Sequence, residues 1–87
     1  MKLIWHESAW TDYLDWQSHD KRALRRINEL IKDTLRDPFF GIGKPEPLKH
    51  YGPNCWSRRI DDENRLVYRV TDGMLEIIEC RAHYGKK

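Results

Sequence analysis

Glu46 stands between two prolines in the run Gly43-Lys44-Pro45-Glu46-Pro47-Leu48-Lys49-His50. Proline fixes φ near −65° and donates no backbone hydrogen bond, and it drives the residue before it toward extended backbone. Pro47 therefore restricts Glu46, while Pro45 stiffens its approach. A rigid carboxylate with Lys44 and Lys49 close in sequence suits a general base beside a phosphate backbone. The same run also reads as a stiff surface connector between a helical half and a strand half.

A second group of residues supplies what such a base would need. Internal cleavage of RNA requires a proton acceptor for the ribose 2′-OH and an acid for the departing 5′-oxygen. It also requires fixed cations for the charge on the pentacoordinate phosphate. Near the chain end, Cys80-Arg81-Ala82-His83-Tyr84 offers an imidazole that titrates near neutral pH, beside an aromatic hydroxyl. Glu46 is then the candidate base and His83 the candidate acid. Arg59, Arg65 and Lys49 are the candidate cations, and Tyr84 can stack on a base or hold a phosphate. Taken alone, His83 reads as an ordinary exposed terminal histidine, and its partners along the chain are what give it a catalytic reading. With Ile60 opposite Arg65, strict alternation would place Arg59 and Arg65 on opposite faces of a sheet. A bulge or one-residue shift in the turn Asp61–Asn64 would bring them together.

Other chemistries find little support. His6, His19, His50 and His83 lack the spacing of a metal site, and Cys55 and Cys80 form neither a ligand pair nor a disulfide framework. No metal or other cofactor is expected. Nucleophile elbows, Walker-type loops and dinucleotide glycine patterns are absent, which leaves acyl transfer, redox and nucleotide hydrolysis without a carrier.

These residues must be positioned by a small scaffold. Lys2 to His6 reads as a strand. Glu7 to Gln17 follows at helical spacing, and Ser18 or Asp20 is placed to cap the next helix. Lys21 to Arg36 is strongly amphipathic, with Ala23, Leu24, Ile27, Leu30, Ile31 and Leu35 on one face. Its other face carries Lys21, Arg22, Arg25, Arg26, Lys32 and Arg36. Such a charge run reads either as a solvated face or as an RNA contact. Asp37 to Asn54 is a long connection holding all four prolines, with a short strand possible around Leu48–Tyr51. Cys55–Asp61, Arg65–Thr71 and Met74–Ala82 alternate as strands, and Asp72-Gly73 is a hairpin signal.

The order β-α-α-(β)-β-β-β predicts an α+β fold, with two N-terminal helices packed on one face of an antiparallel sheet. Residues 1–87 read as one domain. Alternation assigns Leu66, Tyr68, Val70, Leu75 and Ile77 to one sheet face and Val67, Ile78, Cys80 and Ala82 to the other. Two helices can cover only one of these.

The formal net charge is only +2, although 34% of residues are charged. Composition by itself therefore does not mark a nucleic-acid binder, and any basic surface must come from clustering. Besides the helix, Lys44, Lys49, Arg58, Arg59, Arg65, Arg69 and Arg81 could contribute to one. No apolar run approaches a membrane span and the N-terminus turns polar early, so a cytoplasmic protein with two reduced thiols is expected.

The chain resembles the YoeB family within the wider RelE-like toxins. The resemblance runs from Met1 to Tyr84. It is carried by Met1-Lys2-Leu3-Ile4-Trp5, Lys21-Arg22, Ile27 to Thr34, Gly43 to His50, Trp56-Ser57-Arg58-Arg59-Ile60, Arg65-Leu66-Val67-Tyr68 and His83-Tyr84. It implies a microbial-RNase-like fold and a metal-free mRNA endonuclease acting in the ribosomal A site as a homodimer, restrained by a YefM-like antitoxin. It assigns Glu46 as base, His83 as acid and Arg65 to the transition state, with Lys49, Arg59 and Tyr84 placing the substrate. It also implies that Lys21, Arg22, Arg25, Arg26 and Lys32 contact ribosomal RNA. Gly85-Lys86-Lys87 extend beyond the family pattern, and Tyr51-Gly52-Pro53-Asn54-Cys55 replaces its usual turn. Two other readings fit such a scaffold: a non-catalytic toxin resembling gyrase inhibitors, and an RNA-binding module that docks on the ribosome.

Overall fold

The computed structural model describes residues 1–83, and of His83 the backbone alone. The elements run β1 (Lys2–Trp5), α1 (Glu7–His19), α2 (Lys21–Arg36), β2 (Glu46–Pro47), a 3-10 turn (Lys49–Tyr51), β3 (Cys55–Arg59), β4 (Asn64–Thr71) and β5 (Met74–His83). Asp20 separates the helices. Its extended backbone ends α1, and its carboxylate accepts hydrogen bonds from the Arg22 and Ala23 amides, capping α2 as its residue type predicts.

The sheet order is β1-β5-β4-β3-β2. The predicted α+β class holds, but the sheet is mixed rather than antiparallel, because β1 runs parallel to β5, Lys2 against Met74 through Trp5 against Ile77. The connection from β1 to β5 spans both helices and three strands, so no tight turn links the two, and a connection of this length permits parallel pairing. The remaining pairs are antiparallel.

The helices cover one face. Ala9, Ala23, Ile27, Leu30 and Ile31 pack on Ile60, Leu66, Tyr68, Leu75, Ile77 and Cys80, ringed by Trp5, Tyr13, Trp16, Trp56 and Val70. Cys80 therefore belongs to the helix side, not to the face assigned by alternation. The register slips where Tyr68 meets Ile77 but Val67 meets Glu79, so Ile78 is an extra residue that turns Cys80 to the helix side, and a second shift between Val67 and Arg65 restores the alternation by Ala82. On the opposite face Leu48, Cys55 and Val67 form a small second cluster with Ile78 and Ala82. The long connection thus covers part of that face through Leu48, and the rest stays open.

Candidate active site

Glu46 does not sit in a loop. It begins β2, a two-residue edge strand paired Glu46 to Ser57 and Pro47 to Trp56. An edge strand is where a sheet tolerates proline, because the missing amide faces away from the ladder. The expected strand at Leu48–Tyr51 is instead the 3-10 turn that follows.

The open face carries two rows of residues. One runs Glu46, Ser57, Val67, Glu79 across β2, β3, β4 and β5. The next holds Arg59 directly opposite Arg65, and Arg65 opposite Ala82. The direct Arg59–Arg65 pair settles the register left open by the sequence and puts both arginines on one face. Two strands of spacing separate Glu46 from Arg65, roughly 10 Å at ordinary sheet geometry. Nevertheless, the Arg65 Nη2 and Glu46 Oε1 atoms lie 4.0 Å apart. Ser57 makes this possible. Its small side chain is buried between them and lets the Arg65 guanidinium lie across β3, with Nη1 3.3 Å from Ser57 Oγ.

Glu46 keeps about half of its side chain in solvent, at 49% exposure, while Arg65 keeps 16%. An accessible carboxylate beside a fixed cation can take a proton from a bound alcohol while the cation holds an adjacent anionic oxygen. Lys49, in the 3-10 turn, is exposed and borders an open cup with Pro47, Gly52, Pro53, Asn54 and Trp56. From the same turn, Tyr51 crosses the sheet to β5 and donates to Glu79 Oε1 at 2.6 Å. That carboxylate, with partial burial, pushes the phenol up to about 12.

The expected basic face is smaller than its roster of residues. Arg69 is bound to Glu76, Arg81 to Asp15, and Arg58 lies fully inside the protein. Burial and pairing remove all three from a substrate surface. On α2, Lys21, Arg22, Arg25 and Lys32 are exposed, and Arg26 lies 3.8 Å from Glu29. This face points away from the sheet, on the opposite side from Glu46. His83 pairs through its backbone with Asn64 at the end of β5. Its side chain, like Tyr84 and the tail 85–87, lies outside the described residues.

Arg58 is the residue the sequence reading missed. Its guanidinium donates to Asp33 Oδ2 at 2.6 Å, to Ile42 O at 3.2 Å, to Asp37 O at 2.6 Å and to Phe40 O at 3.3 Å. Its Nε donates to the Tyr68 hydroxyl at 3.2 Å. One side chain thereby ties the connection 37–42 to α2 and the sheet. Arg59 N adds a 2.7 Å bond to Gly43 O, three residues before Glu46. The signal was present: Arg58 falls at a core position between Trp56 and Ile60, and an arginine there needs a buried partner. Asp33 answers it from α2, and Arg58, then the Ile42 amide and Arg36, hold its carboxyl down at about 2.

Comparison with known proteins identifies the family. A family model described as the YoeB-like toxin of bacterial type II toxin–antitoxin systems matches residues 5–84. Toxin YoeB of Escherichia coli K12 is 64% identical over 84 residues, covering 97% of this chain and 100% of that one. The structure of the YoeB dimer from Staphylococcus aureus superimposes with a TM-score of 0.90 at 41% identity, over 97% of this chain and 98% of that one. The YoeB–YefM heterotetramer from the same organism gives 0.85 at 41% identity, with the same coverage of both chains. The chain belongs to the YoeB family of toxins of bacterial type II toxin–antitoxin systems.

Proposed function

We propose that this toxin is an endoribonuclease that cuts mRNA in the ribosomal A site and so stops translation. The observation that carries the reading is the meeting of Glu46 and Arg65 on the open sheet face, with Arg59 directly opposite Arg65. In the proposed reaction, the Glu46 carboxylate takes the proton of the ribose 2′-OH, and the oxygen attacks the adjacent phosphorus. Arg65, with Arg59 and Lys49, holds the charge that gathers on the phosphoryl oxygens. The bond from phosphorus to the 5′-oxygen breaks as His83 gives that oxygen a proton, and Tyr84 helps to seat the nucleotide. The products are a 2′,3′-cyclic phosphate and a 5′-hydroxyl. The proposed steps use side chains alone and no cofactor.

The same reading gives α2 a task. Lys21, Arg22, Arg25, Arg26 and Lys32 would contact ribosomal RNA while the opposite face of the molecule holds mRNA. This places the toxin in the cytoplasm, where its substrate is translated. A YefM-like antitoxin and a second copy of the chain are the proposed protein partners, by analogy with the Staphylococcus aureus complex and dimer.

The test is to map mRNA ends during translation with wild type, Glu46→Ala and His83→Ala. General acid–base catalysis contributes about 10²–10⁴-fold, so each variant should lose cleavage by that order. Undiminished cutting by either variant would remove that residue from the mechanism. Intact mRNA accompanied by DNA damage would instead favour the gyrase-inhibitor reading.

A further inference from the structure

Beyond Ile77, β5 has β4 as its sole strand neighbour among the described residues, because β1 stops pairing there. A terminal strand paired on one side tends to fray. Here α1 occupies the vacated flank. The Cys80 carbonyl accepts from Trp16 Nε1 at 2.8 Å, and the Cys80 thiol donates to the Ala9 carbonyl at 3.3 Å. Arg81 Nη2 bonds the Asp15 carboxylate, and Nη1 lies 3.9 Å from Asp12 Oδ1. The guanidinium also sits over the Trp16 ring, 4.8 Å from its centroid. Ala9, Asp12 and Asp15–Trp16 belong to successive turns of one side of α1, so the clamp is continuous. A planar, forked cation both paired and stacked is far more constrained than a lysine would be.

The next two residues after this clamp are Ala82, opposite Arg65, and His83, opposite Asn64. Asn64 is itself fixed, with its amide 2.7 Å from Asp61 Oδ1 and its side chain bonded to the same carboxylate. We propose that Arg81 is a positioning residue. Bridged to Asp12 and Asp15 and stacked on Trp16, it fixes the end of β5 and thereby sets where His83 delivers its proton to the leaving 5′-oxygen. The assignment rests on the nuclease reading of the site and adds to it a residue that never touches RNA.

Leaving-group chemistry separates this role from simple support of the fold. When the bridging 5′-oxygen of the scissile phosphate is replaced by sulfur, the bond to phosphorus breaks with departure of a thiolate, which needs no proton. A variant that harms only acid delivery therefore recovers on the sulfur substrate. The experiment uses ribosomes programmed with a short mRNA carrying oxygen or sulfur at that position, the full-length toxin, and the variants Arg81→Ala, Arg81→Lys, Asp15→Asn and His83→Ala. A misplacement near 1 Å can cost about 100-fold. Arg81→Ala should thus lose about 10–100-fold on the oxygen substrate and stay within about threefold of wild type on the sulfur one. His83→Ala should show the same pattern with a larger first loss. Asp15→Asn and Arg81→Lys leave more of the fold's contacts in place, and should show smaller losses with the same recovery. Equal losses on both substrates by the Arg81 and Asp15 variants would overturn the assignment, as would full activity on oxygen. Equal losses by His83→Ala would overturn the acid and Arg81's action through it. A wild type that cuts neither substrate would overturn the nuclease reading as well.

Discussion

Arg58→Met removes the charge and every donor of the guanidinium while keeping much of the side chain's volume. Arg58 has no exposed surface, and its partners are Asp33, the Tyr68 hydroxyl and the carbonyls of Asp37, Phe40 and Ile42. Breaking a buried ion pair from one side costs about 3–5 kcal/mol. A buried acceptor left without a donor costs about 1–3 kcal/mol. These figures overlap rather than add, since several carbonyls of the 37–42 segment would regain water once it loosened. We therefore expect a total of about 3–5 kcal/mol, against roughly 4–13 kcal/mol for a domain of this length. With a slope of about 1.5 kcal/mol per M, the urea midpoint should fall by about 2–3 M.

The acid limb supplies a second reading from the same variant. Asp33 is held at about 2 chiefly by Arg58, below its ordinary 3.8. Its folded value lies beneath the unfolded one, so its stabilisation is complete above about pH 4 and is lost as pH falls through about 2. That loss should shrink in Arg58→Met. A midpoint shift worth under about 1 kcal/mol, with an unchanged acid limb, would refute the account of Arg58 as the anchor of this connection.

Two further substitutions probe the approach to Glu46 and its meeting with Arg65. Gly43 has φ +80°, and a Cβ there would lie 2.7 Å from Leu30 Cδ2 and 3.1 Å from Arg58 Cβ, so Gly43→Ala should cost about 1–3 kcal/mol and depress cleavage. Wild-type urea stability in that variant would contradict the reading. Ser57→Val removes the hydroxyl beside Arg65 and widens the row, and a hydrogen bond to a charged group is worth about 1.5–3 kcal/mol. Cleavage on programmed ribosomes should fall about 10–100-fold, and an unaltered rate would show that Ser57 does not hold Arg65 in place.

The elements most legible in the sequence were those built by local rules. Helix α2 spans the predicted Lys21–Arg36 because its period is carried by its own residues, and Asp20 caps it through side-chain chemistry fixed by residue type. The Asp72-Gly73 turn joins β4 to β5 as expected. What failed was non-local. Nothing in Lys2–Trp5 encodes a parallel partner, and alternation cannot see the extra residue at Ile78, so Cys80 was given the wrong face. Among candidate site residues, Glu46, Arg59 and Arg65 could be picked out by type. Ser57 and the Tyr51–Glu79 bond could not, since a serine in a strand and a tyrosine in a turn acquire meaning only from what lies across the sheet. Leu35, counted toward the α2 core, is 37% exposed, while Thr34 is buried and donates its hydroxyl to Leu30 O.

In the proposed reaction the site draws on four strands because no single element could hold its groups at the required separation. A base and an acid that act on opposite oxygens of one phosphate must approach it from different sides. A sheet supplies that spacing in fixed steps: Glu46 enters from the edge strand β2, Arg65 rises from β4, and β5 carries His83 beyond it. Each end is then secured from the helix side of the sheet by its own buried or stacked arginine. Arg58 fastens the connection that leads to β2 onto α2, and Arg81 fastens the end of β5 onto α1. Among the described residues the two anchors share no partner, so the proposed base end and acid end can be perturbed separately. Independence of this kind follows from using two helices as two supports, and under the proposed mechanism an Arg81 variant should lose acid delivery while the Glu46–Arg65 pair stays where it is.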